Sequence, residues 1–180
     1  YGLHLLIPSK AIVHTHPVYL NAILCSKNSR LIIDEIFKDW DYEYVEYAAP
    51  GFDLTKAIYS KNLKEKTILF LENHGLIVGD NTMKSCVQKT RRINEKCKYY
   101  LSQKIKAFIQ YSDFKHATSI PSGHVMPDSV VFDNSMPADL LKSILYIEQT
   151  SSIIDTIRYL PPEEISYISE MAFEKHRAKV

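Results

Sequence analysis

The sequence predicts an α/β fold, and three observations carry that reading. Short β-friendly apolar runs occur at 10–16, 42–47, 67–71 and 76–78. Segments with helical apolar spacing lie between and after them, the longest at 82–110. The chain has 180 residues, 46% hydrophobic and 24% charged, which is an ordinary globular balance and enough for a sizeable core. Residues 1–180 are therefore read as one domain.

The first strand, 10–16, runs through Ala11-Ile12-Val13 into His14-Thr15-His16 and stops at Pro17, which cannot donate into a ladder. Residues 18–27 follow as a helix with Val18, Asn21, Ala22 and Cys25 on its inner stripe, and 31–37 as a second. Tyr42 to Tyr47 alternates and is rich in aromatics, so it is read as a strand. Ala48-Ala49-Pro50-Gly51 is a turn, and a helix starts at Phe52 or Asp53 and runs to about Lys61. Thr67 to Leu71 is a buried strand, Asn73-His74-Gly75 a sharp turn, and Leu76-Ile77-Val78 the return strand, closed by Gly79-Asp80-Asn81. In the long helix 82–110, Met83, Val87, Thr90, Ile93, Cys97, Tyr100, Ile105 and Phe108 recur at core spacing. The basic run Lys89 to Arg92 is its solvated face. A loop with Pro121, Gly123 and Pro127 leads to a short strand at Ser129–Phe132. Helices at 137–147, 149–157 and 161–177 close the chain, the last opened by Pro161-Pro162-Glu163-Glu164.

Bulk properties exclude some classes of function. The formal net charge is +1, so nothing favours nucleic acid electrostatically. No apolar run is long enough to span a bilayer, and no signal-peptide pattern opens the chain. Cys25, Cys86 and Cys97 are odd in number and lack a Cys-x-x-Cys spacing, which argues against a disulfide framework or a thiolate zinc knuckle. They read as small buried hydrophobes in a protein of the cytoplasm. The chain opens on Tyr1 rather than Met and reads as a piece of something longer or a processed product.

The chemistry sits in three histidines. Side chains two apart on a strand share a face, so His14 and His16 present two imidazoles together at a strand end. His74 lies at another strand end; if the two strands are neighbours, all three converge. Three imidazoles with an open position form a catalytic zinc pattern. Spacing alone also fits histidines that serve as simple hydrogen-bonding groups. Glu72, two before His74, would face the same side of a regular strand and is a candidate fourth ligand or base, although a structural strand-end carboxylate suits it better.

The exact strings add to this. Ile12-Val13-His14-Thr15-His16-Pro17 resembles the metal strand of the class II aldolase/adducin family, and Phe70-Leu71-Glu72-Asn73-His74-Gly75-Leu76-Ile77-Val78 resembles its second metal segment, in the same order and nearly sixty residues on. Tyr47 to Leu54 looks like the turn and helix start between them. Met126 to Phe132, and Leu160-Pro161-Pro162-Glu163-Glu164 through Glu174-Lys175-His176-Arg177, resemble the branch related to rhamnulose-phosphate aldolase domains. The resemblance implies a three-layer α/β/α sandwich around a mainly antiparallel sheet. It implies Zn2+, or Mn2+ or Co2+, held by His14, His16 and His74, and a homo-oligomer, often a tetramer. The implied activity is that of a metal-dependent aldolase acting on a phosphorylated ketose, through an enediolate that the ion stabilises.

The chain also departs from that pattern. The branch's acid/base glutamate falls four residues before the position of His4, immediately before Tyr1, so the domain reads as lacking its N-terminal part and the fragment as able to bind metal without turnover. No carboxylate precedes His14. No string fixes the catalytic tyrosine among 12 tyrosines; Tyr42, Tyr44 and Tyr47 default to core or interface aromatics. His4, His116, His124 and His176 are read as loop, surface or helix groups.

The alternatives are a sugar-phosphate epimerase, dehydratase or decarboxylase on the same fold, and a non-catalytic adducin-like interaction module, against which the retained histidines argue. A histidine–aspartate hydrolase site ranks last, because no His-x-Asp string occurs.

Overall fold

The computed structural model describes residues 5–61, 63–64, 67–115, 121–132 and 136–171. Four strands form one sheet: β1 (Ala11–Thr15), β2 (Glu43–Val45), β3 (Ile68–Leu71) and β4 (Gly75–Asp80), in the order β1-β4-β3-β2. The helices among the described residues are α1 (Val18–Leu24), α2 (Ser29–Phe37), α3 (Phe52–Tyr59), α4 (Met83–Lys104), α5 (Pro127–Val131), α6 (Ala138–Ile154) and α7 (Pro162–Glu170).

The sheet is mixed, which corrects the expectation of a mainly antiparallel one. β4 pairs antiparallel with both β1 and β3, but β2 runs parallel to β3. The cause is the connection. Glu72-Asn73-His74 is short enough to make β3–β4 a hairpin, whereas β2 reaches β3 through α3, a crossover that returns the chain in the same direction. Asn73 takes a left-handed conformation (φ 49°), which Asn tolerates better than most residues.

Both sheet faces are covered, so β3 and β4 are buried throughout and read as continuous apolar runs. Ile68, Phe70, Leu76 and Val78 face one side, packed with residues of α1, α2, α4 and Tyr146 of α6. Leu69, Leu71, Ile77 and Val45 face the other, against Leu54 and Ile58 of α3 and Ile7. Phe70 lies 4.9 Å from Phe37 and 5.1 Å from Tyr42, ring to ring.

Several element boundaries differ from the sequence expectations. The strand expected at Ser129–Phe132 is the helix α5 instead. Pro127 fills its first turn, where a missing N–H is harmless, and the Ser129 N–H and hydroxyl both donate to the Met126 carbonyl. The two helices expected at 137–147 and 149–157 are one, α6; no Gly or Pro separates them. α4 starts at its Thr82 cap but stops at Lys104, and Ile105 and Phe108 reach the core from beyond its end. Its buried stripe is Cys86, Ile93, Cys97 and Leu101, while Met83 and Val87 are exposed. Arg91 and Arg92 lie on the solvated face as expected. The end expected for the last helix lies partly outside the described residues, as do His4, His116 and His176. All three cysteines are free and buried, and burial pushes the Cys25 and Cys97 thiols up. Among the described residues no helix is long and apolar enough to cross a membrane.

Candidate metal centre

The strand register brings the three histidines together. β1 pairs with β4 so that His14 lies opposite Ile77 and Thr15 opposite Leu76. His16 follows at the end of β1, and His74 immediately precedes β4. His74 is thus a neighbour of the His pair through β4. One nitrogen from each ring lies within 4.8 Å of the others. Ring centroids are 4.9 Å (His14–His16), 5.1 Å (His14–His74) and 5.2 Å (His16–His74) apart, all edge to face.

The hydrogen bonds settle which nitrogens face inward. His14 Nδ1 is 3.0 Å from the Leu76 carbonyl, which can only accept, so that nitrogen carries the hydrogen. His16 Nδ1 is 2.7 Å from Asp128 Oδ2 and donates to that carboxylate. In the neutral rings both Nε2 atoms are then lone-pair acceptors, and they face each other at 3.1 Å. Two lone pairs at that distance repel unless a cation, a proton or a metal ion, lies between them. Imidazole nitrogens bind zinc at about 2.0–2.1 Å, so the His14–His16 pair stands near the spacing that one ion needs, and the His74 nitrogen, grouped with them within 4.8 Å, would close in to join it. The donor set therefore fits a divalent metal.

Desolvation of the ring, then repulsion from His16, pushes His14 down from its ordinary 6.5 to about 4, although the residue as a whole is exposed. His14 is accordingly neutral at pH 7 and its Nε2 is available. The sign follows: the metal-free fold disfavours protonated His14, so its contribution to stability is full above pH 6.5 and is lost as pH falls towards 4. Urea unfolding of metal-free protein at pH 7 and pH 4.5 should show a smaller acid loss for His14→Gln than for the natural chain. Equal losses would contradict the shift.

His74 is held by its turn. Asn21 Nδ2 donates to the His74 carbonyl (3.1 Å), and Asn73 Nδ2 donates to the carbonyls of Val125 and Arg158, both at 2.8 Å. Glu72 is not brought into the cluster. β3 ends at Leu71, so strand alternation no longer governs Glu72, and its carboxylate instead accepts from Arg158 (2.6 Å), Tyr44 OH (3.0 Å) and the Tyr47 N–H (3.1 Å). Tyr42 donates to Asp34 and Tyr44 to Glu72, and Tyr47 packs beside Val130 and Leu160. His124 is likewise outside the group of three.

Asp128 is the residue that the sequence reading missed. Its segment resembled one branch, but nothing in the string assigned the carboxylate a role. It sits 112 positions from the histidine that it touches.

This chain belongs to the class II aldolase/adducin family: the model of the class II aldolase and adducin N-terminal domain matches residues 2–101, more than half of the chain. The chain is also similar to an uncharacterized oxidoreductase, YuxG, of Bacillus subtilis (strain 168), with 32% identity over 105 residues. That stretch is 57% of this chain, and only 15% of the relative's length is covered. No solved structure matches the chain.

Proposed function

We propose that this chain carries the site of a metal-dependent aldolase that cleaves or forms a phosphorylated ketose, with His14, His16 and His74 as the ligands of a divalent ion. The observation that carries the reading is the pair of anchored rings, whose Nδ1 hydrogens are committed to Leu76 and Asp128 while their Nε2 lone pairs meet. A divalent ion supplies positive charge against the oxyanion that develops when a carbon–carbon bond next to a ketone breaks. The chain's own contribution is to hold three imidazoles in place and to fix the tautomers of His14 and His16. Arg158 and the tyrosines tie up Glu72, which supports a brace rather than a base.

Helices on both faces of the sheet support the three-layer sandwich of the family. The string Met126 to Phe132 supports the rhamnulose-phosphate aldolase branch, and zinc is the metal that three imidazoles suit best. A sugar phosphate as substrate, a homo-oligomer of tetramer size and a reducing cytoplasm complete the reading. The sugar-phosphate epimerases, dehydratases and decarboxylases use the same kind of site, and the histidines do not separate them. The relative's oxidoreductase name covers a protein of which this chain matches a small part, so it is not carried over.

The test is metal analysis of the full-length protein together with an assay on ketose phosphates, rhamnulose phosphate among them. Stoichiometric divalent metal is expected, with cleavage that stops on chelation and returns with Zn2+, Mn2+ or Co2+. Protein with no stoichiometric metal and no loss on chelation would overturn the proposal and favour an adducin-like interaction module.

A further inference from the structure

We infer that Asp128 is a positioning residue of the metal centre, setting its affinity through His16, so that chain beyond the family-matching segment completes the site. This rests on reading the three histidines as ligands. The two inward-facing rings of the His pair are anchored differently. The anchor of His14 is a backbone carbonyl, Leu76, delivered by the β1–β4 ladder itself. The anchor of His16 is a carboxylate on α5, which lies outside residues 2–101. A carboxylate on the far nitrogen of a ligating imidazole fixes its tautomer and orientation and makes the near nitrogen more basic. Neither side chain of the pair is strongly exposed (26% for His16, 15% for Asp128), so water competes weakly for the bond.

The segment carrying Asp128 is itself fastened to the His74 turn. The Val125 carbonyl accepts from Asn73 Nδ2. Met126 Sδ lies 3.8 Å from Asn21 Nδ2, the same amide that donates to the His74 carbonyl. Residues 125–128 therefore brace two of the three ligands at once, His74 through its turn and His16 through its ring. Of these contacts only that of Asp128 reaches a ligand ring, which makes it the one expected to change affinity rather than folding.

The experiment is zinc titration against a chelating indicator, with the Co2+ visible spectrum as a second readout, on full-length protein and its Asp128→Ala, Asp128→Asn and His16→Ala variants. Asp128→Ala should weaken zinc binding by about 10–100-fold. Asp128→Asn keeps an acceptor but loses the charge, so it should fall between Ala and the natural protein and shift the Co2+ bands. Thermal melts of the metal-free forms separate this from a packing role, because affinity should fall while metal-free stability changes little. If Asp128→Ala does not fold, Asp128→Asn decides. Unchanged zinc affinity in the folded Asp128 variants, with metal lost in His16→Ala, would overturn the inference and leave the ligand reading intact. Natural affinity in His16→Ala would instead overturn the ligand reading itself.

Discussion

Alanine in place of His16 is expected to remove stoichiometric metal and activity together. The substitution deletes one of three clustered nitrogens, so the loss should exceed the 10–100-fold typical of a partner outside the ligand set. It also leaves the Asp128 carboxylate without the N–H that it accepts at 2.7 Å. That combination separates two roles. If His16 is a ligand, metal content and turnover fall in parallel while the metal-free fold survives, since His16 lies beyond the end of β1 and outside the hydrophobic clusters. Elemental analysis, circular dichroism and the ketose-phosphate assay on one preparation check it. Retained activity would refute the ligand assignment.

Alanine in place of Gly75 should have the second large effect, for a steric reason. A Cβ at Gly75 would sit 2.6 Å from His16 Cδ2 and 2.6 Å from the Thr15 carbonyl oxygen. The oxygen belongs to the backbone of Thr15, the last residue of the paired strand β1, which is in register with Leu76. The β1–β4 edge must therefore open, or the His16 ring must turn and break its bond to Asp128. Forcing a methyl group into packed structure costs about 1–3 kcal/mol, or several degrees in midpoint for a chain of this size. Urea unfolding and zinc titration should both register the change. Natural stability with natural metal affinity would show that the strands accommodate the methyl group. The glycine of Asn-His-Gly is thus needed for space beside His16, while the left-handed backbone belongs to Asn73.

What the sequence carried was local. Val13-His14-Thr15-His16-Pro17 announced a strand end with two imidazoles, because alternation and the proline are properties of the chain itself. The apolar runs of β3 and β4 and the hairpin between them were legible for the same reason, as were the buried cysteines. Glu72 was harder. Its spacing from His74 suggested a shared face, but one left-handed residue at Asn73 ends the strand pattern, and Arg158 claims the carboxylate from 86 positions on. The short helix at Pro127 looked like a strand because its valines favour extended structure, while the proline that begins it decided otherwise.

By itself, then, the sequence determined three metal-competent histidines at strand ends and a chain with enough apolar residues to bury a sheet on both faces. The tertiary structure decided the rest: that β4 stands between β1 and β3, that β2 enters parallel through α3, and that Asp128 meets His16. The physical reason is range. Strand alternation and turn propensity act over a few residues, whereas the partners of His14, Glu72 and His16 come from elsewhere in the chain and are chosen by packing. The three histidines could be read in one dimension, and their support only in three.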